Sequence, residues 1–333
     1  MTEPRDRLVR FRDDYEKNKF DTELGAVRTI PSTTAIRYSV KSSNSKISYV
    51  GFALVGTLGS TASWQIQEID STSGVIVKIA DGDENYDNIL EEDSLEFATS
   101  EFDSASLVQI DATHYIVAYQ GPQSDGYIKT FSIDGNYDIT EINELEHDTS
   151  YGLWNSLVQI DSTHYFLVYR GAGTIDGYAK TFSINDSFEI SEEDSLMFDG
   201  DMSGYCSAVK IDNTHFIVAY AGKDNYGHLQ TFSIDRSYVI SVVNNIKHDA
   251  GQGTYNSLIS FADNLFMLAY RGGANGYGYL KTFSVDGSYD ISSAIDTLDF
   301  NSASTTDISL IQLDNNHYIV AYELGYVKTF SID

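Results

Sequence analysis

The chain has 333 residues, 49 of them acidic and 21 basic, for a formal net charge of -28 at pH 7. A surface of that sign repels nucleic-acid phosphates and anionic lipid, so neither is expected as a partner. A single cysteine, Cys206, excludes an internal disulfide and fits synthesis in a reducing compartment, and no run of about 18 apolar residues offers a membrane-inserted helix.

The first twenty residues hold Arg5, Arg7, Arg10, Arg12, Lys17 and Lys19. Charge is spread too evenly there for the apolar stretch of a signal peptide, so synthesis in a host cytoplasm is expected. Leu8, Phe11 and Tyr15 recur at helical spacing, which predicts a short amphipathic helix. Such a helix is marginal alone and gains stability by docking, so residues 1–30 are read as an anchoring or homo-oligomerising segment. From Pro31 the pattern turns to strands, at Ile36–Val40, Ile47–Leu54, Ser63–Ile69 and Val75–Ile79, with Ser, Asn and Gly turns between them. Residues 31–84 therefore read as a small β-rich domain; 34–84 also admit a reading as a divergent sixth blade.

Residues 85–333 are five near-copies of one unit. The segment Thr-Phe-Ser-(Ile/Val)-(Asp/Asn) begins at Thr130, Thr181, Thr231, Thr282 and Thr329. Each copy contains four short β-patterned segments, the content of one antiparallel blade, and a strand repeat of this period points to a β-propeller. The last copy stops after three strands, while an outer-strand pattern at 86–97 stands alone before the first inner strand. The expected fold is all-β: a five-bladed propeller closed by strand exchange, 86–97 pairing with 325–332, preceded by the small domain and the N-terminal helix. Phe131, Phe182, Phe232, Phe283 and Phe330 are expected between blades, where truncation to Ala should cost roughly 3 to 5 kcal/mol. His114, His164, His215 and His317 each follow an Asp by three residues. That spacing suits a turn capped by Asp111, Asp161, Asp212 or Asp314, and Leu265 in the fourth copy argues against a metal.

Short turns mark one face of the ring and long, variable loops the other, which is where binding is expected. The inter-blade loops on that face carry Trp154, Tyr205 and Tyr255 at matching positions, followed by Asn155 and Asn256 in two of them, and Arg170 and Arg271 end strands beside them. Flat aromatics next to planar hydrogen-bonding groups suit sugar rings, although the same rings could simply cover the seams between blades. The inner strands carry Gln109, Gln159, Lys210, Ser260 and Gln312 at their polar position. Paired carboxylates of the glycosidase kind are therefore missing there, and the chain is expected not to be an enzyme, with no catalytic residues, cofactor or metal.

The runs Ala62-Ser63-Trp64-Gln65-Ile66, Ile69-Asp70-Ser71-Thr72, Ala80-Asp81-Gly82-Asp83 and Tyr86-Asp87-Asn88 resemble a pattern in small proteins of tailed bacteriophages. Where that family continues with a Trp and an Arg-rich turn, this chain has Ile89-Leu90-Glu91-Glu92. The ring is similar to tachylectin-type lectins in architecture alone. The resemblance implies a virion-associated attachment protein, its N-terminal part meeting other virion proteins and its propeller meeting a host surface glycan. The alternative is a free-standing lectin-like carbohydrate-binding module.

Overall fold

A computed structural model describes residues 27–31, 41–43, 46–49, 61–70 and 74–79 as strands, and 93–98, 102–171, 175–201 and 203–332. The chain forms two compact units, Met1–Leu90 and Glu91–Asp333. In the first, β1 (Val27–Pro31), β4 (Thr61–Asp70) and β5 (Gly74–Ile79) form an antiparallel sheet in the order β1-β4-β5, and β2 (Lys41–Ser43) pairs with β3 (Lys46–Tyr49). The strands expected at 63–69 and 75–79 are present within β4 and β5. The anchoring candidates Leu8, Phe11 and Tyr15 lie outside the described residues.

The second unit repeats one design. Sheet I is β6 (Asp103–Gln109), β7 (His114–Gln120), β8 (Gly126–Ile133) and β9 (Ile139–Asp148). Sheet II is β10 (Leu153–Gln159), β11 (His164–Gly171), β12 (Asp176–Ile184) and β13 (Ile190–Asp199). Sheet III is β14 (Ser207–Lys210), β15 (His215–Ala221), β16 (Gly227–Ile234) and β17 (Ile240–Asp249). Sheet IV is β18 (Gly253–Ala262), β19 (Leu265–Gly272), β20 (Tyr277–Ser284) and β21 (Asp296–Asn301). Sheet V has β22 (Ser309–Gln312), β23 (His317–Tyr322) and β24 (Tyr326–Ser331). Within each sheet the strands are antiparallel and neighbours in space are neighbours in sequence, which is the topology of propeller blades.

Sequence explains which strand sits where. β7, β11, β15 and β19 are unbroken runs of aromatic and aliphatic residues, and all are buried on both faces, as continuous apolar strands must be. Outer strands such as β13 begin with an exposed polar run, Ser191-Glu192-Glu193, then alternate half-buried and exposed positions from Asp194 to Phe198, leaving one face in water. Between consecutive sheets the apolar faces form four separate cores, including Ile116, Leu157 and Phe182 between I and II, and Phe166, Val218 and Phe232 between II and III. The repeated phenylalanines meet the expectation best at Phe182, Phe232 and Phe283, each fully buried.

Polar contacts repeat across every seam. The Oγ of an inner-strand serine accepts the main-chain N–H of the next sheet: Ser106 from Leu157 (2.9 Å), Ser156 from Ala208 (2.9 Å), Ser207 from Leu258 (3.0 Å) and Ser257 from Leu310 (3.0 Å). Thr130, Thr181 and Thr231 donate to the main-chain carbonyls of Phe188, Tyr238 and Tyr289 in the next sheet. Those three aromatics also lie flat on His114, His164 and His215, with ring centroids 3.5, 3.4 and 3.3 Å apart. Each histidine is itself held by its Asp in the turn, as the spacing led us to expect. Where the aromatic is a tyrosine, its hydroxyl donates to the same Asp: Tyr238 to Asp161 and Tyr289 to Asp212. Although burial alone would raise both carboxyls, the Thr163 N–H and His164 hold Asp161 at about 2, and the Tyr289 hydroxyl and Thr214 N–H hold Asp212 at about 2.

One expectation meets a different arrangement. β24 pairs with β23, and its other edge has no ladder partner among the described residues. Residues 86–92 of the expected closing strand lie outside the described residues, and its described part, 93–98, lies against sheet I. The Lys129 Nζ donates to the Phe97 carbonyl (2.9 Å) and the Ile139 N–H to Asp93 Oδ2 (2.7 Å).

Candidate functional site

Four loop segments meet at the end of the array opposite the histidine turns. The Gly152 N–H donates to Ser124 O (3.0 Å), Ser203 N–H to Ile175 O (2.9 Å) and Thr305 N–H to Gly276 O (3.0 Å), tying three of the four inter-sheet loops each to a β-hairpin loop. Close approach there requires glycine. A Cβ on Gly152 would stand 2.2 Å from the Gly126 Cα, and one on Gly253 would stand 2.0 Å from the Gly227 Cα.

Immediately after these crossings the inner strands bulge. Leu153 pairs with Arg170 but Ser156 with Val168, and Thr254 with Arg271 but Ser257 with Ala269, so one extra residue is inserted at each place. Such a bulge turns the chain through the left-handed region, where glycine is the usual occupant. This protein instead places Ser104 (φ 54°), Trp154 (53°), Tyr205 (52°), Tyr255 (53°) and Asp307 (51°) there, one in each sheet. A bulky side chain held at positive φ is strained, and the seam aromatics Phe188 (60°), Tyr238 (60°) and Tyr289 (62°) share the conformation.

The bulges line up the aromatics. The rings of Trp154 and Tyr205 stand 4.5 Å apart and tilted 30°, and those of Tyr205 and Tyr255 4.5 Å apart and tilted 40°, so the three stack obliquely on one another into a continuous ledge across sheets II, III and IV. The Arg170 guanidinium lies over Trp154, 5.1 Å from the ring centroid. Burial pushes the Tyr205 hydroxyl up to about 12, Tyr255 adding to it while the positive charges of Arg271 and Arg170 pull the other way. The sequence thus placed Trp154, Tyr205, Tyr255, Arg170 and Arg271 in one cluster. Asn155 and Asn256 have a different position: their Nδ2 groups donate to the loop carbonyls of Gly152 (2.6 Å) and Gly253 (2.8 Å), shaping the bulge from behind the ledge. What sequence reasoning missed is the fourth and fifth members of the bulge set, Ser104 and Asp307, which share no residue type with the aromatics. All five stand two residues before an inner-strand serine, at 106, 156, 207, 257 and 309, and that spacing is the signal that could have found them.

No family model and no curated protein matches this chain. Among solved structures it is similar to a periplasmic gluconolactonase of Pseudomonas aeruginosa, with a TM-score of 0.55 at 12% identity, covering 89% of this chain and 79% of that one. At that identity the likeness concerns the fold, which is a β-propeller in both. It also corrects the expectation that the chain is not an enzyme, because the architecture it shares is that of an enzyme. The expectation rested on inner strands free of acids, yet acids stand at the loop ends instead. Asp307 occupies the bulge position of sheet V, and Glu323 follows Tyr322 as Arg170 follows Tyr169.

Proposed function

We propose that the five sheets close into a five-bladed ring and that its long-loop face holds a sugar ring against the ledge of Trp154, Tyr205 and Tyr255. The observation that carries the binding reading is the unbroken run of three aromatic rings from three sheets, 4.5 Å between neighbouring centroids, with the Arg170 guanidinium over the first of them. An aromatic face beside guanidinium donors matches the apolar face and hydroxyl edge of a pyranose.

Closure is supported by the unfilled ends of the array. Leu107 of sheet I is 61% exposed while its counterparts Leu157 and Leu258 are each 5% exposed, and on sheet V Ile311 and Val327 are 56% and 64% exposed. The residues that make the other seams are present at these ends: Ser309, Thr329, Asp314 and His317 on sheet V, and Leu107 and Tyr137 on sheet I. Segment 93–98 already stands toward sheet I as an outer strand stands toward its next sheet. Asp93 accepts from Ile139 as Asn143 does from Ile190 and Asp194 from Ile240. A three-stranded sheet V and an unpaired outer strand together make one blade.

In the phage setting implied by the resemblance at 62–88, the ligand would be a host surface glycan. Glycan-array and calorimetric binding of the full chain tests the reading. Trp154→Ala and Tyr255→Ala should each weaken sugar binding about tenfold or more, and full binding in both variants would remove the ledge from the site.

A second reading, a hydrolase acting on a sugar lactone, is favoured by the likeness to the gluconolactonase and by Asp307 and Glu323 on the same loop face. Loss of gluconolactone ring opening in Asp307→Asn, measured against an active wild type, would support it.

A further inference from the structure

Six described lysines reach a carboxylate or a main-chain carbonyl, whereas among the described residues the side chains of Arg170 and Arg271 reach neither. Lys129 is paired with Glu141 and Glu144, Lys180 with Glu192 and Lys223 with Asp201, while Lys281 and Lys328 donate to the carbonyls of His248 and Phe300. Among the described residues no carboxylate lies within ion-pair distance of Arg170 or Arg271. The Nε of each is buried and has no hydrogen-bond partner there. The chain around these two guanidiniums carries 49 acidic residues against 21 basic ones.

Their placement is also particular. Arg170 ends β11 in sheet II and Arg271 ends β19 in sheet IV, and the matching residue of sheet III between them is Ala221, fully buried and without a reaching side chain. The guanidiniums therefore flank the middle ring of the ledge, Tyr205, from the two neighbouring sheets. Gly276 packs against one of them; a Cβ there would come within 2.5 Å of the Arg271 Nε. A guanidinium is a planar fork of donors that matches the two oxygens of a carboxylate or the oxygens of a sulfate, and its attraction is strongest where water is partly excluded.

We infer that the ledge selects an acidic sugar, its ring held along the edges of the aromatic run beside Tyr205 and its acid group received by Arg170 and Arg271. This rests on the sugar-binding reading of the same face and narrows it to a ligand class. The strongly acidic surroundings then work as a filter: an anionic ligand is repelled everywhere on the array except between these two side chains.

The test measures binding of the full chain to three probes by calorimetry: a galacturonate oligomer, the same oligomer with its carboxyls reduced to alcohols, and a sulfated galactan oligomer. At least one acidic probe is expected to bind about tenfold or more tighter than the reduced one, a preference that shrinks as salt is raised and is lost in Arg170→Gln with Arg271→Gln. The uronate and sulfate arms tell which acid group is recognised. Circular dichroism on the double variant confirms that it is folded. If the reduced oligomer binds as well as the acidic ones and Tyr205→Ala abolishes both, the sugar reading stands and the acidic-ligand inference is overturned. The inference is equally overturned if acidic binding is unchanged in the arginine variant. Binding of none of the probes overturns it together with the sugar reading.

Discussion

The imidazole of His164 lies face to face with the ring of Tyr238 from the next sheet, 3.4 Å between centroids and 12° from parallel. The Tyr238 hydroxyl returns to Asp161, the same carboxylate that holds the imidazole, so two sheets are clasped by a closed loop of three side chains. The clasp recurs at His215, Tyr289 and Asp212, and in reduced form at His114, where Phe188 supplies the ring without the hydroxyl.

At the ends of the array one clasp is in two halves. His317 keeps its Asp314 (2.8 Å), and Tyr137 is 63% exposed with no histidine beside it. Ring closure brings these halves together as the fifth seam. In a Cys206→Ser background, Tyr137→Cys with His317→Cys should therefore be bridged by a short thiol cross-linker within one chain, giving a compact monomer at dilute concentration. Cross-linked dimers and ladders that grow with protein concentration would show instead that the open ends join different copies, and the closed-ring proposal would be wrong. Ordinary stacking and one charged hydrogen bond suggest that His317→Ala lowers stability by about 1 to 2 kcal/mol, measured by urea unfolding.

Much of this was legible in the sequence because a propeller blade is a local object. Turn chemistry at Asp111 and Asp161, the continuous apolar run of β11 and the alternation of β13 all depend on neighbours within a few residues, and each folded as its pattern requires. The cluster of Trp154, Tyr205 and Tyr255 was legible too, since equivalent loops of a repeat end at equivalent places. The stacking of His164 on Tyr238 was not, because the two are separated by a whole repeat and nothing in either segment announces the other. The same applies to the left-handed bulges. Glycine normally marks that conformation, and here Ser104, Trp154 and Asp307 occupy it without any common residue type.

Two other histidines predict how the fold responds to acid. His147 and His248 occupy the outer-strand position held by Phe97, Phe198 and Phe300 elsewhere, judged by the lysines that donate to the main-chain carbonyls of His147, His248, Phe97 and Phe300. Both rings are buried with neither nitrogen hydrogen-bonded among the described residues, and they meet Tyr169 and Tyr270 edge-on. Burial, with Lys180 beside it, pushes His147 down to about 3, and burial with Lys281 and His228 lowers His248 in the same direction. The neutral ring is thus the native form. Its contribution to stability is complete above the unfolded value of about 6.5 and is lost as pH falls from there toward the folded value, because the unfolded chain takes up the proton first. Each histidine should steepen the loss by up to about 1.4 kcal/mol per pH unit in that window. Urea unfolding at pH 7, 5.5 and 4.5 should show this slope in the wild type and a flatter one in His147→Phe with His248→Phe, which copies the residue used in the other sheets. An unchanged slope would place the acid sensitivity elsewhere.

At the left-handed positions of the ledge the contribution of a ring can be separated from the strain of its backbone. At φ 53° Tyr255 carries a Cβ in a conformation that costs an L-residue about 1 to 2 kcal/mol and costs glycine little. Replacing it by Ala removes the ring and keeps the strain; replacing it by Gly removes both. Tyr255→Gly should therefore be more stable than Tyr255→Ala by about 1 kcal/mol in spite of the extra chain entropy glycine gives the unfolded state, while both lose sugar binding alike. The same ordering should hold at Tyr205 and Trp154. Thermal unfolding of the six variants, beside calorimetry with the oligosaccharide, separates the two quantities. If the glycine variants are the less stable of each pair, the left-handed backbone at these positions is not a source of strain.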